Sequence, residues 1–260
     1  MATETGLTPV PVIAPGSHDT ASAIAAVPST AAAWAYISSG TWSLMGVEIP
    51  APLVGEASRA ANFTNEGGVA GTVRFLKNIM GLWLVQECRR AWERAGTRYG
   101  YDDLAKLAEA ALPFVSLVDP DDATFLLPPN MPNALADFCR RTGQPVPAEV
   151  GATVRCALES LALRYRWVLD KLEELTGRRL EVIHIVGGGS QNQLLCQLTA
   201  DACNRPVLAG PVEATAIGNV LVQAIGLGVL GSLADAREVV RQSFEVQTYT
   251  PHNHAAWERT

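Results

Sequence analysis

Val182–Asp201, VIHIVGGGSQNQLLCQLTAD, is the stretch from which the rest of the chain can be read. Val182, Ile183, Ile185 and Val186 form a short β-branched run of the kind found in strands covered on both faces. Gly187, Gly188 and Gly189 follow, where the backbone can turn sharply and let a ligand come close. A helix opening near Ser190 would aim unpaired N–H groups and the positive end of its dipole at that turn, which suits phosphate. The pattern is not the dinucleotide fingerprint, because Asn192 stands where the third glycine of G-x-G-x-x-G belongs. No G-x-x-x-x-G-K-[ST] occurs either, which excludes a P-loop. Two readings stay open at this point: a nucleotide-binding turn of another type, or a plain strand-to-helix turn.

A chain of 260 residues, 48% hydrophobic, carries enough apolar side chains for one large domain or two small ones. A net charge of −6 and the lack of any Lys/Arg cluster argue against a nucleic-acid or anionic-membrane surface. The first basic residue is Arg59, so no charged leader segment is expected, and no apolar run approaches the roughly 18 residues of a membrane span. The expectation is a soluble, cytoplasmic chain with no nucleic-acid and no membrane partner. Its five cysteines (Cys88, Cys139, Cys156, Cys196, Cys203) form no C-x-x-C and have no zinc spacing. Cys196 and Cys203 share a helix face and read as core, while Cys139 and Cys156 flank a proline-bearing connection and could meet.

In chain order, Val10–Ala14 predicts a short strand ended by Pro15-Gly16, and Ala21–Val27 a small-residue helix. Between them stand Ser17, His18, Asp19 and Thr20. Ser17 or Asp19 could simply cap the helix, but four polar side chains crowded at the end of a buried strand also mark the place of an α/β ligand site. Ala33–Gly46 predicts a β-hairpin, with Trp34, Tyr36 and Ser38 alternating against Ala35 and Ile37. Its Ser38-Ser39-Gly40-Thr41 turn offers hydroxyls and accessible N–H groups, whether for phosphate or only for turning. Asn62–Gly71 reads as a loop, and Val73–Ala95 as one long amphipathic helix on which Asn78 and Gln86 project from nearly the same side.

Further helices are expected over Asp102–Ala111, Asn133–Arg141 and Glu149–Leu175, the last stopped by Gly177. Asp119, Asp121 and Asp122 lie in a proline-rich loop and read as a turn and helix cap rather than a metal site. After the glycine turn come a strand over Arg205–Leu208, helices over Glu213–Leu230 and Leu233–Ser243, and a polar tail.

SHDTASA, YISSGTWSLMG, NFTNEGG, LKNIMGLWLVQE, IVGGGSQN and GPVEATAIGN, in this order from Pro11 to about Phe244, resemble the C-terminal half of the FGGY carbohydrate kinases. The combination is specific, although each motif alone is weak or moderate. The resemblance implies an α/β fold, the actin-like (ribonuclease H-like) ATPase domain, as a single domain over 1–260 with a helical insertion around 97–148. It further implies ATP and Mg²⁺ as cofactors and a sugar bound in a cleft between two such domains.

Residue by residue, Asp19 matches the family's general base, and His18 and Thr20 match sugar-contacting positions beside it. Thr41, Asn78, Gln86 and Gly188 match nucleotide-contacting positions, with Gly187, Gly189 and Asn192 grouped in the same turn. The wording of HDTASA and SGTWSLMG is most similar to kinases of L-rhamnulose, whereas Asp19 is shared with kinases of other ketoses such as fuculose or xylulose. The family's N-terminal, sugar-binding half has no counterpart in these residues. The resemblance therefore implies either a sugar kinase whose other half is a separate chain, or an ATP-binding domain without catalysis of its own.

Overall fold

The computed structural model describes residues 11–259, together with Glu4, Gly6 and Thr8. In chain order the strands are β1 (Trp34–Ser39), β2 (Ser43–Ile49), β3 (Thr64–Gly67), β4 (Val73–Ile79), β5 (Val182–Val186), β6 (Val207–Ala209) and β7 (Gln247–Tyr249). They form one mixed sheet in the order β3-β4-β2-β1-β5-β6-β7. β1 and β2 are the expected hairpin, β4 adds antiparallel to β2, and β5 and β6 continue parallel from β1. The central order β4-β2-β1-β5-β6, with β2 alone reversed, is that of the actin-like (ribonuclease H-like) domain.

Helices cover both faces. They are α1 (Asp19–Ala25), α2 (Glu56–Ala60), α3 (Trp83–Arg94), α4 (Tyr101–Ala110), α5 (Met131–Arg141), α6 (Val150–Thr176), α7 (Gln193–Cys203), α8 (Ala214–Gly226), α9 (Leu233–Ser243) and α10 (His254–Trp257). Alternation along β1 divides the core as its sequence predicts. Ala35 and Ile37 join Met45, Phe75, Ile183 and Ile185 under α6 and α7, while Tyr36 joins Leu76 and Val186 under α1, α8 and α9. β5 is buried along its whole length, which accounts for its unbroken apolar composition. His184 in its middle is kept neutral, since burial and then the nearby Arg237 charge push its pKa down to about 4.

Several expectations are corrected. Val73–Ala95 is not one helix: Val73–Ile79 is strand β4, and α3 begins only at Trp83. Phe75 and Ile79 are four apart, a spacing that fits one face of either element. Pairing along the free edge of β2 decides for the strand. Gly81, at φ +57, then separates strand from helix. Asn62–Gly71 is not wholly loop, because Thr64–Gly67 pairs with β4 as β3. Val10 lies outside the described residues, and Pro11–Ala14 forms no strand. β1 already has neighbours on both sides, and Val12 is 90% exposed. The helix expected from Ala21 begins at Asp19, and the tail carries β7 and a buried Trp257.

Asp122 caps a short turn over Ala123–Phe125, and Asp121 accepts from the Met80 N–H and pairs with Arg164. Cys139 and Cys156 do meet, as free thiols. The hydrogen bond between them lowers the pKa of Cys139 and, together with burial, raises that of Cys156. Cys196 and Cys203 are core residues.

The position of α1 depends on one close approach. A Cβ on Gly218 of α8 would lie 1.8 Å from the Ser22 carbonyl oxygen of α1. Alanine at this position gains up to about 1 kcal/mol of helix propensity but must force two buried backbones apart. Gly218→Ala should therefore destabilise the chain by about 1–3 kcal/mol in denaturant unfolding. Stability equal to or above the parent would show that the α1–α8 contact is loose.

Candidate active site

Strands β1 and β5 run parallel in register from Trp34↔Val182 to Ser38↔Val186, so they end at the same level. Their two following turns, Ser39–Thr41 and Gly187–Gly189, consequently lie side by side. Ser39 packs on the glycines: a Cβ at Gly189 would lie 2.0 Å from Ser39 Oγ, and one at Gly187, at φ +86, 2.8 Å from Ser39 O. Only Gly188 faces open space, with nothing within 4 Å of where a Cβ would stand. Two of the three glycines thus serve the fold, and the middle one presents bare backbone to whatever lies above.

The helix expected from Ser190 is instead a 3₁₀ turn over Gly188–Gln191, and α7 starts at Gln193. Asn192 supplies the cap, its Oδ1 accepting from Leu195 N–H at 2.9 Å. On the opposite side, α3 docks its first turn onto the hairpin turn: Leu82 N–H donates to Gly40 O at 3.2 Å and Trp83 N–H to Thr41 O at 2.9 Å. This docking brings Gln86 to Thr41, whose Oγ1 donates to Gln86 Oε1 at 3.1 Å.

Asp19 opens α1. His18 occupies the cap position without a side-chain capping bond, so the capping reading of Ser17 or Asp19 does not hold. Asp19 Oδ1 accepts from Thr20 N–H at 2.7 Å, and the carboxylate side chain is 74% exposed. Thr20 itself is buried, and its hydroxyl lies 3.5 Å from the same Oδ1.

Two adjoining cavities lie among these residues. A cleft of about 850 Å³ is lined by His18, Asp19, Thr20, Asn78, Gly187 and Gly188, with Trp42, Glu66, Glu213 and Thr215. A narrower cavity of about 270 Å³ adjoins it through Gly40 and Gly188. Gln86, Gly189 and Asn192 line that cavity, with Leu82, Val85, Tyr101, Leu104 and Val154 as its apolar wall. Of the candidate residues read from the sequence, all but Thr41 line one or other of these two adjoining cavities. Thr41 lines neither and meets the site through its bond to Gln86, and Asn78 reaches the wider cleft from the end of β4 rather than from a helix shared with Gln86. The apolar wall was not legible as a site, since nothing in the sequence pattern singles out its members. Glu66, Glu213 and Thr215 lay within the quoted motifs NFTNEGG and GPVEATAIGN without a role.

The arrangement suits a nucleotide. The narrow cavity offers apolar side chains and two amides that suit a base, and the bare Gly188 backbone leaves room for a phosphate at the border of the wider cleft. For a divalent ion, the cleft lining carries the carboxylates of Asp19, Glu66 and Glu213, which among the described residues do not gather into a three-ligand metal cluster. That fits an ion held mainly through phosphate and water, as Mg²⁺ commonly is.

Comparison with known proteins agrees with this geometry. The C-terminal domain model of the FGGY family of carbohydrate kinases matches residues 35–227, which include the hairpin turn, Asn78, Gln86 and the glycine turn. The chain belongs to the FGGY family of carbohydrate kinases. It is 51% identical over 98% of its length to a rhamnulokinase of Bacteroides thetaiotaomicron, and 42% identical over 92% to a rhamnulokinase of Bacillus subtilis. It spans about half the length of these curated relatives, 52% and 49% respectively. Among solved structures, xylulose kinase from Rhodospirillum rubrum matches 99% of this chain and 51% of its own, with a TM-score of 0.70 at 18% identity. Plasmodium falciparum glycerol kinase with ADP matches 93% of this chain and 47% of its own, with a TM-score of 0.62 at 15% identity. These likenesses establish the shared fold.

The unequal surroundings of the FGGY-domain glycines can be tested by thermal unfolding. Gly188→Ala should leave the midpoint within about 2 °C of the parent, whereas Gly189→Ala, colliding with Ser39, should lower it by several degrees. Equal effects at the two positions would contradict the packing described.

Proposed function

We propose that this chain supplies the general base and the nucleotide site of an ATP-dependent kinase that converts L-rhamnulose to L-rhamnulose 1-phosphate. The observation that carries this reading is the pair of adjoining cavities, in which Asp19 and the bare Gly188 backbone stand beside an apolar base cavity. The choice of sugar is supported by the rhamnulokinases among its relatives.

In this reading the adenine lies against Leu82, Val85 and Tyr101, with Gln86 and Asn192 at its polar edge. The phosphates pass over Gly188 and the Thr41 turn toward the wide cleft. Mg²⁺ supplies charge neutralisation on the phosphates when bound. Asp19 takes the proton from the attacking sugar hydroxyl, whose oxygen bonds to the γ-phosphorus as the bond to ADP breaks. Thr20 N–H holds Oδ1, and among the described residues Oδ2 accepts no hydrogen bond, which leaves it to receive that proton. Phosphoryl transfer of this kind needs positioning and charge stabilisation rather than a covalent nucleophile.

Asp19 and His18 are exposed in a cleft open on one side, so the reading includes a second wall contributed by another domain, which closes over the sugar and excludes water. The isolated chain should bind Mg–ATP weakly and show no sugar-dependent turnover in a coupled ADP-release assay. Addition of the separately produced N-terminal half of a rhamnulokinase should restore turnover with L-rhamnulose. In the restored system Asp19→Asn should lower kcat by roughly 10²–10⁴ with little change in ATP affinity. Near-normal turnover of Asp19→Asn would remove the base assignment. Nucleotide binding without turnover in any pairing would leave a binding domain only.

A further inference from the structure

We propose that Glu66 is a positioning residue for the base, acting through His18. The inference rests on the reading of Asp19 as the base. It starts from an ion pair in the sheet. Glu66 on β3 and Arg74 on β4 face each other directly across the antiparallel ladder. Arg74 is 1% exposed; its Nη2 donates to Glu66 Oε2 at 2.9 Å and its Nε to Gly67 O at 3.1 Å. A buried guanidinium that loses its counter-charge is strongly destabilising, and the pair fixes the direction of the Glu66 carboxylate.

The same oxygen, Oε2, points out of the pair into the cleft, 3.9 Å from His18 Nδ1. That nitrogen also lies 3.5 Å from Asp19 Oδ1. Nδ1 thus stands between two carboxylate oxygens, and neither can donate to it. The proton of a neutral imidazole is therefore drawn to Nδ1, and Nε2 is left as an acceptor facing the cleft. Contacts of this length in an open cleft shorten when substrate closes it.

His18 and Asp19 have exposed side chains, 53% and 74%, so packing alone does not hold the imidazole. Glu66 is the link from that ring to the sheet. In the kinase reading, a His18 fixed this way accepts a hydrogen bond from one sugar hydroxyl through Nε2, keeping the substrate aligned with the free Oδ2 of Asp19.

The test uses the ¹⁵N-labelled 260-residue chain and needs no activity. Two-bond ¹H–¹⁵N spectra report the tautomer of each of the four histidines, and His18→Gln assigns the signal of His18. The Nδ1–H form should predominate at His18. It should lose ground to the Nε2–H form in Glu66→Ala, where Asp19 Oδ1 alone is left beside Nδ1, and lose less in Glu66→Gln, whose amide oxygen still accepts. If Glu66→Ala fails to fold because Arg74 is stranded, the double variant Glu66→Ala/Arg74→Leu removes both charges and carries the same expectation. An unchanged His18 tautomer in a folded variant lacking the Glu66 carboxylate would overturn the proposal. In the two-half kinase assay, Glu66→Ala should lower kcat about 10–100-fold, the usual cost of losing a group that orients a functional side chain, with the KM for ATP unchanged. A normal kcat would overturn it as well. Failure of the Asp19 assignment is a separate outcome, read from Asp19→Asn turnover while the tautomer result stands on its own.

Discussion

The parallel hydrogen bonding of β1 to β5 is the constraint on which the rest of this molecule depends. Because the register ends Ser38 against Val186, the chain must leave both strands at one level, and two turns compete for the same space. Ser39 fills that space, and Gly187 and Gly189 are the residues that let it. What remains exposed is the backbone of Gly188, with the hairpin turn beside it. The docking of α3 on Gly40 and Thr41 then adds Gln86, and the close contact of α8 with α1 adds Asp19. Backbone interactions thus bring the elements together, and side-chain bonds such as Thr41 to Gln86 and Thr20 to Asp19 then link neighbouring site residues.

How much of this was legible in the sequence follows from the range of those interactions. The hairpin, the long helix ended by Gly177 and α9 are written in local periodicity and turn chemistry, and they fold as read, whereas the helix after the glycine turn starts three residues later than its sequence suggests. Val73–Ile79 was misread because its apolar spacing suits two periods, and the deciding partner, β2, is distant in sequence. β3 was missed for the same reason: TNEG has no strand pattern of its own and exists because β4 offers an edge. The polar members of the site stood out through their crowding and motif wording. The apolar wall over Leu82, Val85, Tyr101, Leu104 and Val154 did not, since such residues acquire a role only when three helices are brought to one place.

Charge is distributed in the cleft with a clear division of labour. The buried Arg74 is paired with Glu66 inside the sheet rather than turned toward the cleft. Asp19, by contrast, is left exposed with one oxygen tied to its own helix and the other without a partner among the described residues. In the proposed reading, a second wall would exclude water from around this carboxylate. The nucleotide in that reading takes its contacts from this chain, while the transfer waits on closure.

The central claim is that a nucleotide bridges the two cavities across Gly40 and Gly188. Hydrogen–deuterium exchange of the 260-residue chain, with and without a nonhydrolysable Mg–ATP analogue, tests it most directly. The account predicts added protection of the amides over residues 39–42 and 187–193 and of the first turn of α3, with no change in α9 or α10. Protection confined to other segments, or absent at a saturating concentration of the analogue, would contradict it.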